Sequence, residues 1–372
     1  MLLKTTMQTR ISEFQTEAHP GRAPGGTIIR QLKPENLEFP FESLNSIITP
    51  NEQFFVRSHF TKPELDVNTW RLHVEGEVAL ELSFDEIRRM PSKTITALLE
   101  CSGNGRVFLE PKAVGVPWEL GAVSTARWTG VPLREVLERA KIKSDTMEII
   151  LQGADSGRPS DEPKDPGTIP FARSLPLAKA LDPDVLLAYE MNGEPLPQAH
   201  GFPLRVIVPD WYAMASIKWL TRIIATPRPF YGYYQTFEYS RFEDDNGVPS
   251  LVPLSEMDPK AQIARPTLHE IVPANSRYRI FGAAWSGSAA VTKVEISTDG
   301  GSRWDEARLL GEVEPHAWRF WEYEWMTPAG PTLRSLMARA TDASGRVQPM
   351  TRDPRRLNAM ISHVLRIEVE VR

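Results

Sequence analysis

The chain has 372 residues, 41% of them hydrophobic and 24% charged, ordinary values for a globular protein and enough length for two domains. Forty-three Lys and Arg against 48 Asp and Glu leave a formal net charge of -5, so no global positive field exists to hold nucleic acid or an anionic membrane, and neither partner is expected. A single cysteine, Cys101, excludes an intrachain disulfide, a Cys-rich zinc site, a four-cysteine iron–sulfur cluster and a Cys-x-x-Cys-His haem attachment.

At the start, Met1-Leu2-Leu3-Lys4 runs straight into polar residues, and nowhere does an apolar run approach the roughly 20 residues of a membrane helix. As written the chain reads as cytoplasmic, or as periplasmic if a leader has been removed. Residues 1–50 are punctuated by Pro and Gly without steady periodicity, and they read as an arm lying over a domain or as a mobile tail. The 32 prolines favour short strands and extended loops over long helices.

From residue 51 to 258 short apolar runs alternate with helical pieces. Ser83 caps a helix over Phe84 to Met90 that must stop before Pro91, and Leu133 to Ala140 has apolar residues at helical spacing. Thr94 to Leu99, Met147 to Leu151 and Leu204 to Val208 read as strands, which predicts an α+β domain of mixed sheets. Between Ile224 and Pro259 the composition turns aromatic and Pro-rich, the crossing into a second domain over 259–372. There the period is two: Val294 and Ile296 alternate with polar neighbours before the turn Asp299-Gly300-Gly301, and Leu365, Ile367, Val369 and Val371 alternate with charges. That pattern predicts an immunoglobulin-like β-sandwich without a disulfide.

The chain contains no GxxxxGK[ST], HExxH, GxSxG or complete GxGxxG motif, which removes nucleotide hydrolysis, zinc proteolysis and α/β-hydrolase chemistry. What remains is Glu100-Cys101-Ser102-Gly103-Asn104-Gly105-Arg106, a thiol at a strand end with two freeing glycines and a nearby cation, surroundings that favour a thiolate. The plainer reading of a lone cysteine is a small buried hydrophobe. Two further segments pair an imidazole with a guanidinium, Phe54-Phe55-Val56-Arg57-Ser58-His59 and His200-Gly201-Phe202-Pro203-Leu204-Arg205. With Ser216-Ile217-Lys218-Trp219 they form a dispersed set of donors suited to a phosphate-bearing cofactor.

Taken in chain order, Phe54 to His59, Glu100 to Arg106, Tyr189 to Arg205 (with Tyr189-Glu190-Met191-Asn192-Gly193-Glu194-Pro195-Leu196-Pro197) and Ser216 to Leu220 resemble the sulfite oxidase family of molybdopterin-dependent oxidoreductases, over nearly the whole chain from Pro50. The resemblance implies a molybdenum–molybdopterin cofactor and a fold of one molybdopterin-binding domain followed by a dimerising sandwich. It makes Cys101 the metal's thiolate ligand and assigns the pterin and its phosphate to Phe55, Arg57, Ser58, His59, Asp155, His200, Arg205, Ser216 and Lys218. Tyr239, Arg57, Arg106 and Trp118 fall at substrate-pocket positions. The implied reaction oxidises sulfite to sulfate and passes electrons to an external acceptor such as a cytochrome c, with no haem of the chain's own. Reduction of nitrate or a sulfoxide, and a binding protein that has kept the fold without the chemistry, are the alternatives. One departure stands out, because the family's C-terminal Trp-Asn-Leu-Arg-Gly is here Asp353-Pro354-Arg355-Arg356-Leu357-Asn358, so that Arg355 or Arg356 would have to stand in for its arginine. The Pro-rich stretch from Arg158 to Phe171 is expected at the pocket rim, and His19, His73, His269, His316 and His363 are expected to be surface or structural.

Overall fold

The computed structural model describes residues 21–159, 165–356 and 358–372. The expected arm is therefore seen only from Gly21, and the Pro-rich rim only outside 160–164. Two mixed or antiparallel five-stranded sheets build the first half. In one, Lys93–Glu100 pairs antiparallel with Val123–Pro132, which pairs in turn with Leu186–Met191, and Arg205–Ile207 joins the far side. In the other, Arg71–Glu75 runs parallel to Leu220–Thr226, followed by Glu148–Gly157 and Ile169–Pro176. The three expected strands are all present, two within one residue of their predicted bounds, while the one expected over Met147 to Leu151 continues to Gly157.

Helices are short and serve as edges. Phe84–Arg88 starts on a full capping box, in which Ser83 accepts from the Glu86 backbone and Glu86 bonds back to the Ser83 N–H. Leu133–Arg139 buries Leu133, Val136 and Leu137 against the sheet, the i, i+3, i+4 stripe read from the sequence.

The second half is the expected sandwich. One sheet runs Lys260–Arg265, Arg277–Trp285, Arg319–Met326, Arg308–Leu309; the other contains Ile271–Val272, Arg366–Val371, Thr332–Asp342, Val291–Ser297 and Asp305–Glu306. In Arg366–Val371 the residues Ile367, Val369 and Val371 point inward and Arg366 and Glu368 outward, as alternation requires. Gly300 and Gly301 both take positive φ at the predicted turn.

The N-terminal segment is more than an arm. Ile28–Gln31 and Asn36–Glu38 form a hairpin that Val56–Arg57 extends to three strands. Phe39 and Phe41 then pack with Trp318 of the sandwich at 6.4 Å between ring centroids. This hairpin has no period-two signal because its strands have only four and three residues. It matters for the site, since Asn36 Oδ1 accepts the Ser58 N–H at 3.1 Å and Arg57 Nη1 at 3.4 Å.

Candidate active site

Cys101 follows directly on Lys93–Glu100, its N–H held by Ala122 O at 2.9 Å and its carbonyl accepting from Asn104 N at 2.9 Å. The side chain is buried and lines a cleft of about 680 Å³, part of it open to solvent. Of the expected site residues, Phe55, Arg57, Ser58, His59, Asp155, His200, Arg205, Ser216, Lys218 and Tyr239 line the same cleft. Residues separated by up to 184 positions, Phe55 to Tyr239, are thus brought around one thiol.

One wall is cationic. Arg205 donates to His200 O at 2.9 Å and Ser216 O at 3.2 Å and lies over Trp128 at 4.9 Å, while its Nε is buried without a partner. Lys218 Nζ donates to Ser58 Oγ and Ala199 O, both at 3.0 Å. Burial and the neighbouring Arg205 lower Lys218 to about 7, with Asp155 pulling the other way, and burial alone lowers Arg205 to about 9. His200 falls to about 3 through burial and the charges of Arg205 and Lys218, so the imidazole is neutral. Asp155, the single acid lining the cleft among the described residues, is raised to about 6 by burial against the pull of Lys218. Such a wall holds more positive charge than it can neutralise. The deficit is what a bound anion corrects.

Gly201 makes this crowding possible: its φ is +112°, and a Cβ there would sit 3.0 Å from Arg205 Cβ and 3.2 Å from Lys218.

The opposite wall is aromatic. His59 Nε2 and the Tyr239 hydroxyl share a hydrogen bond of 2.6 Å, and His59 stacks on Phe171 at 4.5 Å. Burial, aided by Arg57 and Lys218, pushes His59 well below its ordinary range, and burial pushes Tyr239 up, so both stay neutral. Phe171 is a lining residue that motif reading missed, although it closes the Pro-rich stretch expected at the rim.

Two expected pocket residues lie behind the cleft. Arg106 is close enough for Cys101, Arg57 and Tyr239 to act on its charge, yet its guanidinium turns to Val116 O at 2.7 Å and Asn358 O at 3.2 Å. It packs flat on Gly103, where a Cβ would come within 2.1 Å of Nη2. Trp118 is wholly buried in the apolar cluster that contains Cys101, with its Nε1 unpartnered, so it backs the thiol rather than facing the opening. Of the C-terminal arginines, Arg355 is exposed and held by Asp353, and Arg356 is held by Asp258 and Ser362 Oγ. Arg352, which the sequence reading did not weigh, has both Nη atoms buried without a partner, and Arg106 is among the charges that act on it.

His73 is exposed beside Glu81, whereas His316 bridges Asp210 at 2.9 Å and Asp184 at 3.1 Å. His19 lies outside the described residues.

A β-rich half joined to a sandwich, with a lone thiol lining a cleft rich in cationic donors, gives the chain a two-part plan. Residues 59–234 match the family described as "Oxidoreductase molybdopterin binding domain", and residues 252–371 match "Mo-co oxidoreductase dimerisation domain". The chain is 38% identical over 349 residues to the mitochondrial sulfite oxidase of Homo sapiens, covering 88% of this chain and 62% of that one. It is 37% identical over 351 residues to the sulfite oxidase of Gallus gallus, covering 89% and 74%. A nitrate reductase of Brassica napus is 32% identical, with 85% and 38% covered. Among solved structures, the sulfane dehydrogenase SoxCD from Paracoccus pantotrophus superposes with a TM-score of 0.79 at 26% identity, covering 96% of this chain and 88% of that one. The chain belongs to the sulfite oxidase family of molybdopterin-dependent oxidoreductases. It spans about 62% of the length of its mammalian relatives. No helix among the described residues is long and apolar enough to cross a membrane.

Proposed function

We propose that the protein transfers an oxygen atom to sulfite with a molybdenum–molybdopterin cofactor seated in this cleft. The observation that carries the reading is a buried thiol surrounded by donors with, among the described residues, one acid. Among the described residues no three His, Cys, Asp or Glu side chains converge on a metal position, so the protein would contribute a single soft ligand, Cys101 Sγ, to an ion whose other ligands arrive with the pterin. Arg205, Lys218, His200 and Ser216 fit the phosphate end, with Arg205 Nε the buried donor still without an acceptor. Phe55, Ser58, His59 and Asp155 fit the remainder of the pterin.

When bound, the cofactor supplies the two-electron exchange that oxygen-atom transfer requires. Sulfite gains an oxygen derived from water and becomes sulfate, two protons leave to solvent, and two electrons pass to an external acceptor such as a cytochrome c. The chain's own part is electrostatic. Arg57, which lines the cleft, would concentrate the dianion beside Cys101 and offset its charge as product forms, and Arg106, held behind the cleft by Val116 O and Asn358 O, would add its charge from there. Arg352, whose terminal nitrogens lack acceptors, is the C-terminal cation with free donors, while Arg355 and Arg356 are already engaged. Tyr239, kept protonated and oriented by neutral His59, presents a hydroxyl to the same space.

A domain division of 1–50, 51–258 and 259–372 agrees with this reading, with the last unit pairing two chains. One assay tests the whole: about one molybdenum per chain together with sulfite-dependent reduction of a one-electron dye supports it. Faster reduction of nitrate by a dye donor would favour the reductase reading, which the nitrate reductase relatives keep in play. Absence of molybdenum after expression in a pterin-competent host would leave a binding protein.

A further inference from the structure

The turn that presents Cys101 is held from the other domain. Glu100 is buried, and its side chain points away from the cleft into the junction with the sandwich. There Glu100 Oε1 accepts from Lys260 Nζ at 2.8 Å and Asn104 Nδ2 at 3.1 Å, and Oε2 accepts from Trp285 Nε1 at 2.9 Å. Lys260 Nζ also donates to Asn104 O at 3.0 Å. Asn104 returns to Cys101 twice over, through its own N–H to Cys101 O at 2.9 Å and through Oδ1 to the N–H of Ala122, whose carbonyl holds Cys101 N.

The Lys260 and Glu100 side chains are only 1% and 3% exposed. Among the described residues they form a charge pair with neither partner in water. A buried ion pair is weak as a source of stability but strict in geometry, because each lost partner strands a desolvated charge. Here the geometry it fixes is the backbone on both sides of the one thiol in the chain.

We propose that Lys260, with Trp285, is a positioning residue for the Cys101 sulfur, so that the sandwich sets the orientation in which the thiol meets its metal. The inference rests on the reading of Cys101 as a metal ligand. Lys260 touches neither the cleft nor a substrate. Its effect would travel through Glu100 and Asn104 to the peptide groups flanking Cys101, in the way that outer partners of a metal ligand fix its orientation.

The test uses the full chain, in holo and cofactor-free forms, with Trp285→Phe and the double neutral variant Glu100→Gln/Lys260→Met. The double variant removes both charges together and keeps similar shape, and Trp285→Phe removes a single donor, so one of them retains the fold even if the other does not. In the holo protein we expect unchanged molybdenum and pterin content, a shifted Cys101-to-metal charge-transfer band and a kcat lower by about 10- to 100-fold, with KM nearly constant. Lys260→Arg should recover part of the loss. In the cofactor-free protein, alkylation of Cys101 by iodoacetamide should accelerate at least about tenfold as the turn loosens. Wild-type alkylation rate and an unmoved band in the folded variants would overturn the inference. If the holo wild type has no band that Cys101→Ser removes, the ligand reading itself fails, and the alkylation rates alone then decide whether Lys260 orients the sulfur.

Discussion

Two buried charge assemblies flank Cys101, and they are built on opposite terms. On the junction side Glu100 and Lys260 are matched in sign and number, and each bonds to several partners. On the cleft side Arg57, Arg205 and Lys218 share the lining with one acid among the described residues, Asp155, and Arg205 Nε has no hydrogen-bond partner. Burial costs both groups their hydration. The junction recovers that cost within the protein, while the cleft is left with pKa values bent away from their ordinary range, Lys218 to about 7 and Arg205 to about 9. A satisfied assembly is architecture, and an unsatisfied one awaits a ligand.

The sharpest way to break this contrast is at the thiol between them. Cys101→Ser should leave the fold and much of the pterin in place, because the cleft's donors are untouched, and should lower sulfite turnover by more than about 100-fold, beyond the usual effect of an outer-shell change. Circular dichroism with a dye-coupled assay checks both halves, and full activity would remove Cys101 from the chemistry.

Next in size is Arg106→Met, expected to raise KM for sulfite by about 10- to 100-fold, the worth of one charged hydrogen bond, and to lower the melting temperature as well, because Val116 O and Asn358 O lose their donor. Gly103→Ala sharpens the point. Its Cβ would displace the Arg106 guanidinium, a flexible end, so the charge stays while its place changes. KM should again rise, by less. If KM holds in both variants while stability drops, Arg106 is a structural clasp on Val116 and Asn358. Smaller still should be Arg352→Gln, about a few-fold in KM, since Arg352 does not line the cleft and acts on Arg106 through its charge. An unchanged KM there would leave its unpaired nitrogens unexplained.

The sequence made the sandwich legible through period-two alternation, as in Arg366–Val371, and the strands of the first half legible as short apolar runs such as Thr94 to Leu99. The hairpin of residues 28–38 was not legible, because its strands are too short to show a period and its register depends on Val56–Arg57 far along the chain. The site followed the same division. Words such as His200 to Arg205 announce themselves by composition. Phe171 and Arg352 become site residues only through the approach of distant segments, and Lys260 reads locally as an ordinary surface lysine preceding a strand.

The smallest expected effect tests the cleft's unmet charge without any cofactor. Lys218 titrates near 7 in the folded protein and near 10.5 when unfolded. Between those values the unfolded chain binds the extra proton, so the penalty of the buried ammonium is fully present below about 7 and fades as pH rises toward 10.5. Arg205 and Arg57 press on it from the cationic wall, Asp155 and Glu35 oppose them, and His200 and His59 stay neutral throughout. A dianion in the cleft reverses that field. Sulfate, which keeps its charge across this range, should therefore raise the melting temperature of the cofactor-free protein more at pH about 6 than at pH about 9, by about 1 °C for each kcal/mol of differential binding. Lys218→Met should raise stability at the lower pH in the absence of sulfate and flatten the dependence in its presence. A sulfate effect equal at both pH values in the wild type would mean that the ammonium is already compensated, and the two sides of Cys101 would then be alike.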